Sequence, residues 1–192
     1  MRKPKRHPLR RLILIILIVA ASILLLRWSH THFLKRMYPR TYSSIVEQEA
    51  RKDNLDPYLV YAVIRQESNF NADAKSSAGA IGLMQLTPDT FEWLQRKDKR
   101  DTPLPKDDLY NPEINIRYGC RFLAYLTKKY EIRRTALCAY NAGASRVDSW
   151  LKDRNTSKDG KNLDVIPYSE TRKYAANVEQ IYRQYQELYD SK

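Results

Sequence analysis

Apolar residues recur along the chain in two different rhythms. From Leu12 to Leu26, "LILIILIVAASILLL" sets fifteen uncharged, almost wholly apolar positions in succession. Beyond Pro39 they come three and four apart, as on one face of a helix. "SSIVEQEARKDN" predicts a first helix. Asp56-Pro57 opens a second, "PYLVYAVIRQES", with Asp as the cap and Pro at the first helical position. Thr87-Pro88 repeats that signal ahead of "DTFEWLQRK". Asn111-Pro112 opens a helix with Ile114, Tyr118, Phe122, Leu123 and Leu126 at helical spacing. "RRTALCAYNAG" reads as a helix stopped by Gly143. The last helix carries Tyr174, Val178, Ile181, Tyr182, Tyr185 and Leu188 on one stripe. Residues 69–80 and 152–164 read as loops, and 96–111 as a solvated connection. No run alternates as a strand does, so the predicted class is all-α, with at most a very small β element.

Charge sharpens the domain organisation. The 192 residues carry a formal charge of +12. Residues 1–40 hold ten Lys or Arg and no acid, which leaves 24 basic and 22 acidic side chains for the remainder. The globular part is therefore nearly neutral, and a nucleic-acid reading based on whole-chain charge loses its footing. Four segments are predicted: a basic tail over 1–11, a transmembrane anchor over 12–28, a basic linker over 29–40 and a domain over 41–192. The fifteen-residue run spans only ~22 Å as a helix, against ~30 Å of hydrocarbon. Arg11 and Arg27 can snorkel and Trp28 suits the interface, so spanning is feasible. Six cations precede the run, which keeps the N-terminus cytoplasmic and puts the domain outside. A cleaved leader is the alternative. Its one small-residue site, Val19-Ala20-Ala21, sits inside the run, which favours an uncleaved anchor.

Cys120 and Cys138 are the only cysteines. Outside the cytoplasm a disulfide is permitted, and two small buried hydrophobes are the other reading. The three histidines, His7, His30 and His32, lie far from both cysteines, and no metal site is predicted.

The candidate chemistry centres on Glu67. Val60, Val63 and Ile64 share its helix face, so a carboxylate stands where most helices place leucine. Lost hydration and the helix C-terminus both disfavour its charged form. A general acid working near neutral pH needs that property. A buried ion pair with a distant cation is the competing reading. The loop that follows is built of small residues, Ala72, Ala74, Ser76, Ser77, Ala78, Gly79, Ala80 and Gly82, which let a ligand approach the backbone. Met84 offers a soft apolar wall and Gln85 an amide. A tight turn between packed helices would use the same composition.

Four ordered motifs then carry a resemblance. "ESNFNADAKSSAGAIGLMQLTP" supplies a Glu-Ser pair and a Gly-Leu-Met-Gln segment. "CAYNAG" at 138–143 and "IPYSETRKYAANV" at 166–178 follow. Together they resemble the soluble lytic murein transglycosylase domains, over about Tyr42 to Tyr189. The resemblance implies a compact helical domain of goose-type-lysozyme-like fold. It implies Glu67 as the catalytic acid and base, with Ser68 orienting the site beside it. Gly82, Leu83, Met84 and Gln85 would line the cleft, Tyr140 and Asn141 would contact sugar, and Tyr174 would reach toward the glutamate. Glu170 falls in a stretch whose role is structural. Ala72, Lys75, Cys138 and Ala175 depart from the usual pattern without removing a reactive group.

What the resemblance implies for activity is cleavage of the MurNAc-β-1,4-GlcNAc bond of peptidoglycan without water, leaving a 1,6-anhydro sugar. One glutamate would act as acid and then as base, with no cofactor, no metal and no essential second carboxylate. Asp73 is the nearest acid for a conventional pair. A lysozyme-type hydrolase and a non-catalytic peptidoglycan-binding scaffold are the alternatives. The expected partners are glycan strands and, through the apolar helix, a membrane; nucleic acid is not expected.

Overall fold

The computed structural model describes residues 8–99 and 102–190. The chain divides into two units at Pro39 and Arg40. Before the division lies one helix, α1 (Pro8–Met37), whose apolar side chains are exposed along its length. Its segment Leu12–Met37 is long and apolar enough to cross a membrane. Helix continues through residues 29–37, which the sequence suggested as linker. The expected basic tail lies mostly outside the described residues.

The second unit is built of helices joined by loops. Its elements are α2 (Ser43–Lys52), α3 (Pro57–Ser68), α4 (Pro88–Lys97), a 3-10 turn (Lys106–Tyr110), α5 (Pro112–Tyr130), α6 (Arg133–Ala142), α7 (Ala144–Lys152) and α8 (Ser169–Tyr189). Three of the starts are made by the predicted caps. Asp56 accepts from the Tyr58 amide, Thr87 from Thr90 and Asn111 from Glu113, each ahead of a first-turn proline. Such a cap contributes ~1 kcal/mol. No strand forms among the described residues; two isolated bridges, Lys75 with Ile81 and Ile81 with Leu86, pin the loop after α3.

Two helices are buried over most of their surface, and they set the core. Leu59 to Ile64 of α3 are all buried, as are Thr135 to Tyr140 of α6. α3 packs against α8 and α2, and α6 against α5, α7 and α8. Tyr61 of α3 stacks on Tyr185 of α8 with ring centroids 5.5 Å apart. A second cluster joins Ile81, Leu86, Phe91, Leu94, Leu109 and Tyr118. Each side chain buried in this way contributes ~1.5–3 kcal/mol, which fixes the loop 69–87 against α5.

One local expectation changes, one helix is added, and the cysteines follow one of their two readings. The stretch 96–111 is not wholly solvated, because its 3-10 turn buries Leu109 completely. α7 begins immediately after the Gly143 stop. Cys120 and Cys138 are both buried and both free thiols.

Candidate active site

Glu67 is the penultimate residue of α3, on the face occupied by the fully buried Val60, Val63 and Ile64. The chain turns sharply behind it. Asn69 and Phe70 are both left-handed, with φ of 49° and 66°. That conformation costs Phe70 on the order of 1 kcal/mol. The turn sends the loop back over the end of α3.

The loop is held from three sides. Ser68 Oγ lies 2.8 Å from the Leu83 carbonyl, to which it donates, and 3.2 Å from the Ile64 carbonyl. Asn115 of α5, fully buried, accepts from the Met84 amide at 2.7 Å and donates to the carbonyls of Ile81 and Leu109 at 2.9 and 2.7 Å. Tyr140 of α6 donates from its hydroxyl to the Met84 carbonyl at 2.8 Å. Both backbone groups of Met84 are thus held by side chains from different helices. Gly82 has φ of 77°, and a Cβ there would overlap the Asn115 amide and the Leu109 carbonyl. Only glycine meets both conditions. The Gln85 side-chain amide donates within the loop, to Gly82 and Ala74 carbonyls at 2.9 and 3.1 Å.

The last helix completes the arrangement. Tyr174, buried on α8, donates from its hydroxyl to Glu67 Oε1 at 2.6 Å. Thr171, one turn earlier, donates to Asn141 Oδ1 at 2.7 Å and ties the end of α6 to the start of α8. Structure therefore gathers Glu67, Ser68, Met84, Tyr140 and Tyr174 into one connected network. Gly82, Leu83 and Gln85 shape the loop within it, and Asn141 stands at its edge.

Burial pushes the Glu67 carboxyl up to about 7 from an ordinary 4.5, and the hydrogen bond from Tyr174 works in the opposite direction. The residue keeps part of its surface open to solvent while protein atoms crowd its carboxyl. No ion pair reaches it among the described residues. Burial and the Glu67 charge hold the Tyr174 and Tyr140 hydroxyls well above the ordinary phenol value, so both stay protonated donors. A carboxyl of this kind carries a proton at neutral pH for a sizeable fraction of the time and offers it to a polar atom beside it. Asp73, by contrast, is exposed, and its backbone amide donates to Asn71.

The chain on either side of the site also builds a trough. From Gln85 the chain enters α4 through Thr87, and from Asn141 it enters α7 through Gly143. Between α4 and α7 lies a trough of about 410 Å³, lined in part by Thr90, Trp93, Phe122, Tyr125, Ala144 and Asp148. The Phe122 ring lies 5.1 Å from that of Tyr140.

Asn115 and Thr171 were not among the candidates read from the sequence. The signal for Asn115 is a lone amide beside Ile116 and Tyr118 on a buried helix; Thr171 left none.

The transglycosylase SLT domain family matches residues 44–163. The soluble lytic murein transglycosylase of Salmonella typhimurium is 33% identical over 162 residues, covering 83% of this chain and 25% of its own length. The membrane-bound lytic murein transglycosylase C of Cronobacter sakazakii is 31% identical over 176 residues, covering 80% and 48%. Among solved structures, an inactive glutamate-to-glutamine mutant of lytic transglycosylase Slt from Pseudomonas aeruginosa superposes with a TM-score of 0.70 at 35% identity. It covers 81% of this chain and 25% of that one. The chain spans about a quarter of the length of the first of these relatives. With its four ordered motifs folded onto one network around Glu67, this chain belongs to the transglycosylase SLT domain family.

Proposed function

We propose that the protein is a membrane-anchored lytic transglycosylase that cleaves peptidoglycan between MurNAc and GlcNAc and leaves a 1,6-anhydro-MurNAc end. The observation that carries this reading is Glu67, a carboxyl raised to about 7 with one oxygen held by Tyr174 at 2.6 Å. Names of the relatives specify murein as their substrate, and one relative is inactive as a glutamate-to-glutamine mutant.

Protonated Glu67 gives its proton to the glycosidic oxygen, and the C1–O bond of MurNAc breaks. The positive charge that develops is carried by an oxocarbenium-like state or by the sugar's own 2-acetamido group. Glu67, now anionic, takes the proton from the C6 hydroxyl as that oxygen bonds to C1. The carboxyl ends the cycle protonated as it began, and water is not consumed. Ser68, Met84 and Tyr140 keep the loop beside Glu67, while Tyr174 holds the carboxyl in one orientation. The aromatic trough formed by α4, α5 and α7 suits a glycan strand, whose ring faces pack on aromatic side chains while its hydroxyls meet polar ones.

The apolar helix α1, with its preceding cations, supports a single-pass anchor with the N-terminus cytoplasmic and the domain outside. The test is to incubate the full chain, in neutral detergent, with purified cell walls and to identify the products by mass spectrometry. Anhydro-terminated muropeptides are expected. Reducing ends would assign the protein to the hydrolases, and no release would make it a binding scaffold.

A further inference from the structure

A second polar site lies at the other end of α3. Arg40, Glu47, Arg51, Pro57, Tyr58 and Tyr61 enclose a pocket of about 180 Å³. Tyr61 is fully buried, and its hydroxyl has no hydrogen-bond partner. Burial pushes that hydroxyl well above the ordinary phenol value, so it remains a donor at any physiological pH. An orphaned buried hydroxyl costs ordinary folding stability, and one that lines a pocket points to a group that enters it.

The pocket's lining is net cationic, with Asp190 and Asp56 standing outside it beside the Tyr58 hydroxyl. Arg40 reaches Glu47 at 3.3 Å and lies over the Tyr189 ring, 5.0 Å from its centroid. Arg51 is exposed in the last turn of α2 and forms no ion pair among the described residues. The pocket thus holds two guanidinium groups against one carboxylate, with a phenol to donate between them. Arginine forks match phosphate oxygens, and the Tyr61 hydroxyl adds a neutral donor. A pocket of this size has room for a group as small as a phosphate, since a water occupies ~30 Å³.

The position along the chain selects the source of that phosphate. Arg40 follows Met37, the last residue of α1, by three residues. Three residues span at most about 10 Å. From Trp28, where the predicted anchor ends, nine further residues of α1 rise ~14 Å, so the chain holds the pocket's first arginine within ~24 Å of the headgroups and keeps the domain at the membrane surface. We propose that this pocket binds the phosphate of an anionic phospholipid headgroup, with Arg51 and the Tyr61 hydroxyl as its donors and Arg40 as its second cation. This rests on the anchor reading of α1, and it gives the domain a second attachment to the membrane beside the helix.

Native mass spectrometry and thermal unfolding of the full chain in neutral detergent test it, with phosphatidylglycerol, phosphatidylcholine or inorganic phosphate added in turn. One phosphatidylglycerol is expected to be retained and to raise the unfolding temperature, and phosphatidylcholine is not. Arg51→Gln and Tyr61→Phe should each weaken phosphatidylglycerol retention about tenfold, the scale of one lost charge-assisted hydrogen bond. Arg51 is exposed and Tyr61→Phe removes one oxygen, so both variants keep the fold; the unliganded unfolding temperature checks this. Equal retention of the two lipids, or retention unchanged in both variants, overturns the proposal. So does stabilisation by inorganic phosphate with none by phosphatidylglycerol. Flotation of the Arg51→Gln protein with phosphatidylcholine vesicles reports the anchor separately. Loss of flotation would remove the anchor reading, and retained flotation with failed lipid selectivity would remove only the pocket.

Discussion

Asn115 Oδ1 accepts the Met84 amide hydrogen at 2.7 Å, across 31 residues of chain, while its amide nitrogen serves the carbonyls of Ile81 and Leu109. One buried side chain on α5 therefore governs both the loop that walls the site and the 3-10 turn behind it. Asn115→Ala leaves the Met84 amide and the Leu109 carbonyl unpartnered in the interior, while the Ile81 carbonyl keeps its bond from the Leu86 amide. Destabilisation by roughly 2–4 kcal/mol is expected, with turnover of cell walls lost by more than the stability change accounts for. Chemical denaturation and product release checked on the same preparation separate the two effects.

Gly119, one turn beyond Asn115, stands against the Met84 side chain so closely that a Cβ would overlap its sulfur. Gly119→Ala forces Met84 to move. A cost of about 1–3 kcal/mol is expected from the overpacking, offset in small part by the better helix propensity of alanine. Glycan cleavage should fall because Met84 is displaced. An unchanged rate at full stability would show that Met84 plays no part in the site.

The raised pKa of Glu67 couples stability to pH. Its folded value of about 7 exceeds the ordinary 4.5, so the native state holds the proton more tightly than the unfolded chain does. Stability from this group is complete below pH 4.5 and is lost as pH rises through 7, by on the order of 3 kcal/mol. Glu67→Gln has no proton to lose. The variant's unfolding temperature should therefore draw ahead of the wild type between pH 5 and 7.5, and the variant should be inactive. Parallel melting curves at the two pH values would contradict the raised pKa.

Tyr174 lowers the Glu67 pKa through its hydrogen bond, so Tyr174→Phe should raise it. Activity that needs protonated Glu67 declines above neutral pH in the wild type, and in Tyr174→Phe the decline should begin at higher pH. The rate at the optimum should fall by roughly 10- to 100-fold, as expected for one lost hydrogen bond to a reacting carboxyl. A pH profile of kcat/KM measures both changes at once.

Asp73→Asn should retain most of the wild-type rate, because the single-acid mechanism asks nothing of that exposed carboxylate. Loss as deep as that of Glu67→Gln, with reducing-end products in the wild type, would point to a paired-carboxylate hydrolase.

Much of this arrangement was legible in the sequence because its boundaries are chemically marked. Asp56-Pro57, Thr87-Pro88 and Asn111-Pro112 each begin a helix where a side chain caps the first turn. The anomalous carboxylate at Glu67 was visible from its apolar neighbours at three, four and seven residues before it. α7 was hidden because Gly143 ends one helix and begins the next, and Val147 is its only buried side chain. Leu109 sits among charges and prolines, and it is buried by Ile81, Leu86, Phe91, Leu94 and Tyr118, partners that local spacing does not reveal. Gln85 looked like an amide free for a ligand, yet its nitrogen serves carbonyls of its own loop. These are all tertiary matters: who satisfies a given polar group is decided by elements distant in the chain.

The hydrogen bond from Tyr174 to Glu67 joins residues 107 positions apart. α8 also packs against α3, so the acid is not held in its orientation until that helix has docked. During synthesis that helix emerges after the other described elements of the domain. Until then Glu67 lacks its Tyr174 partner, and the proposed acid is assembled only when the domain closes.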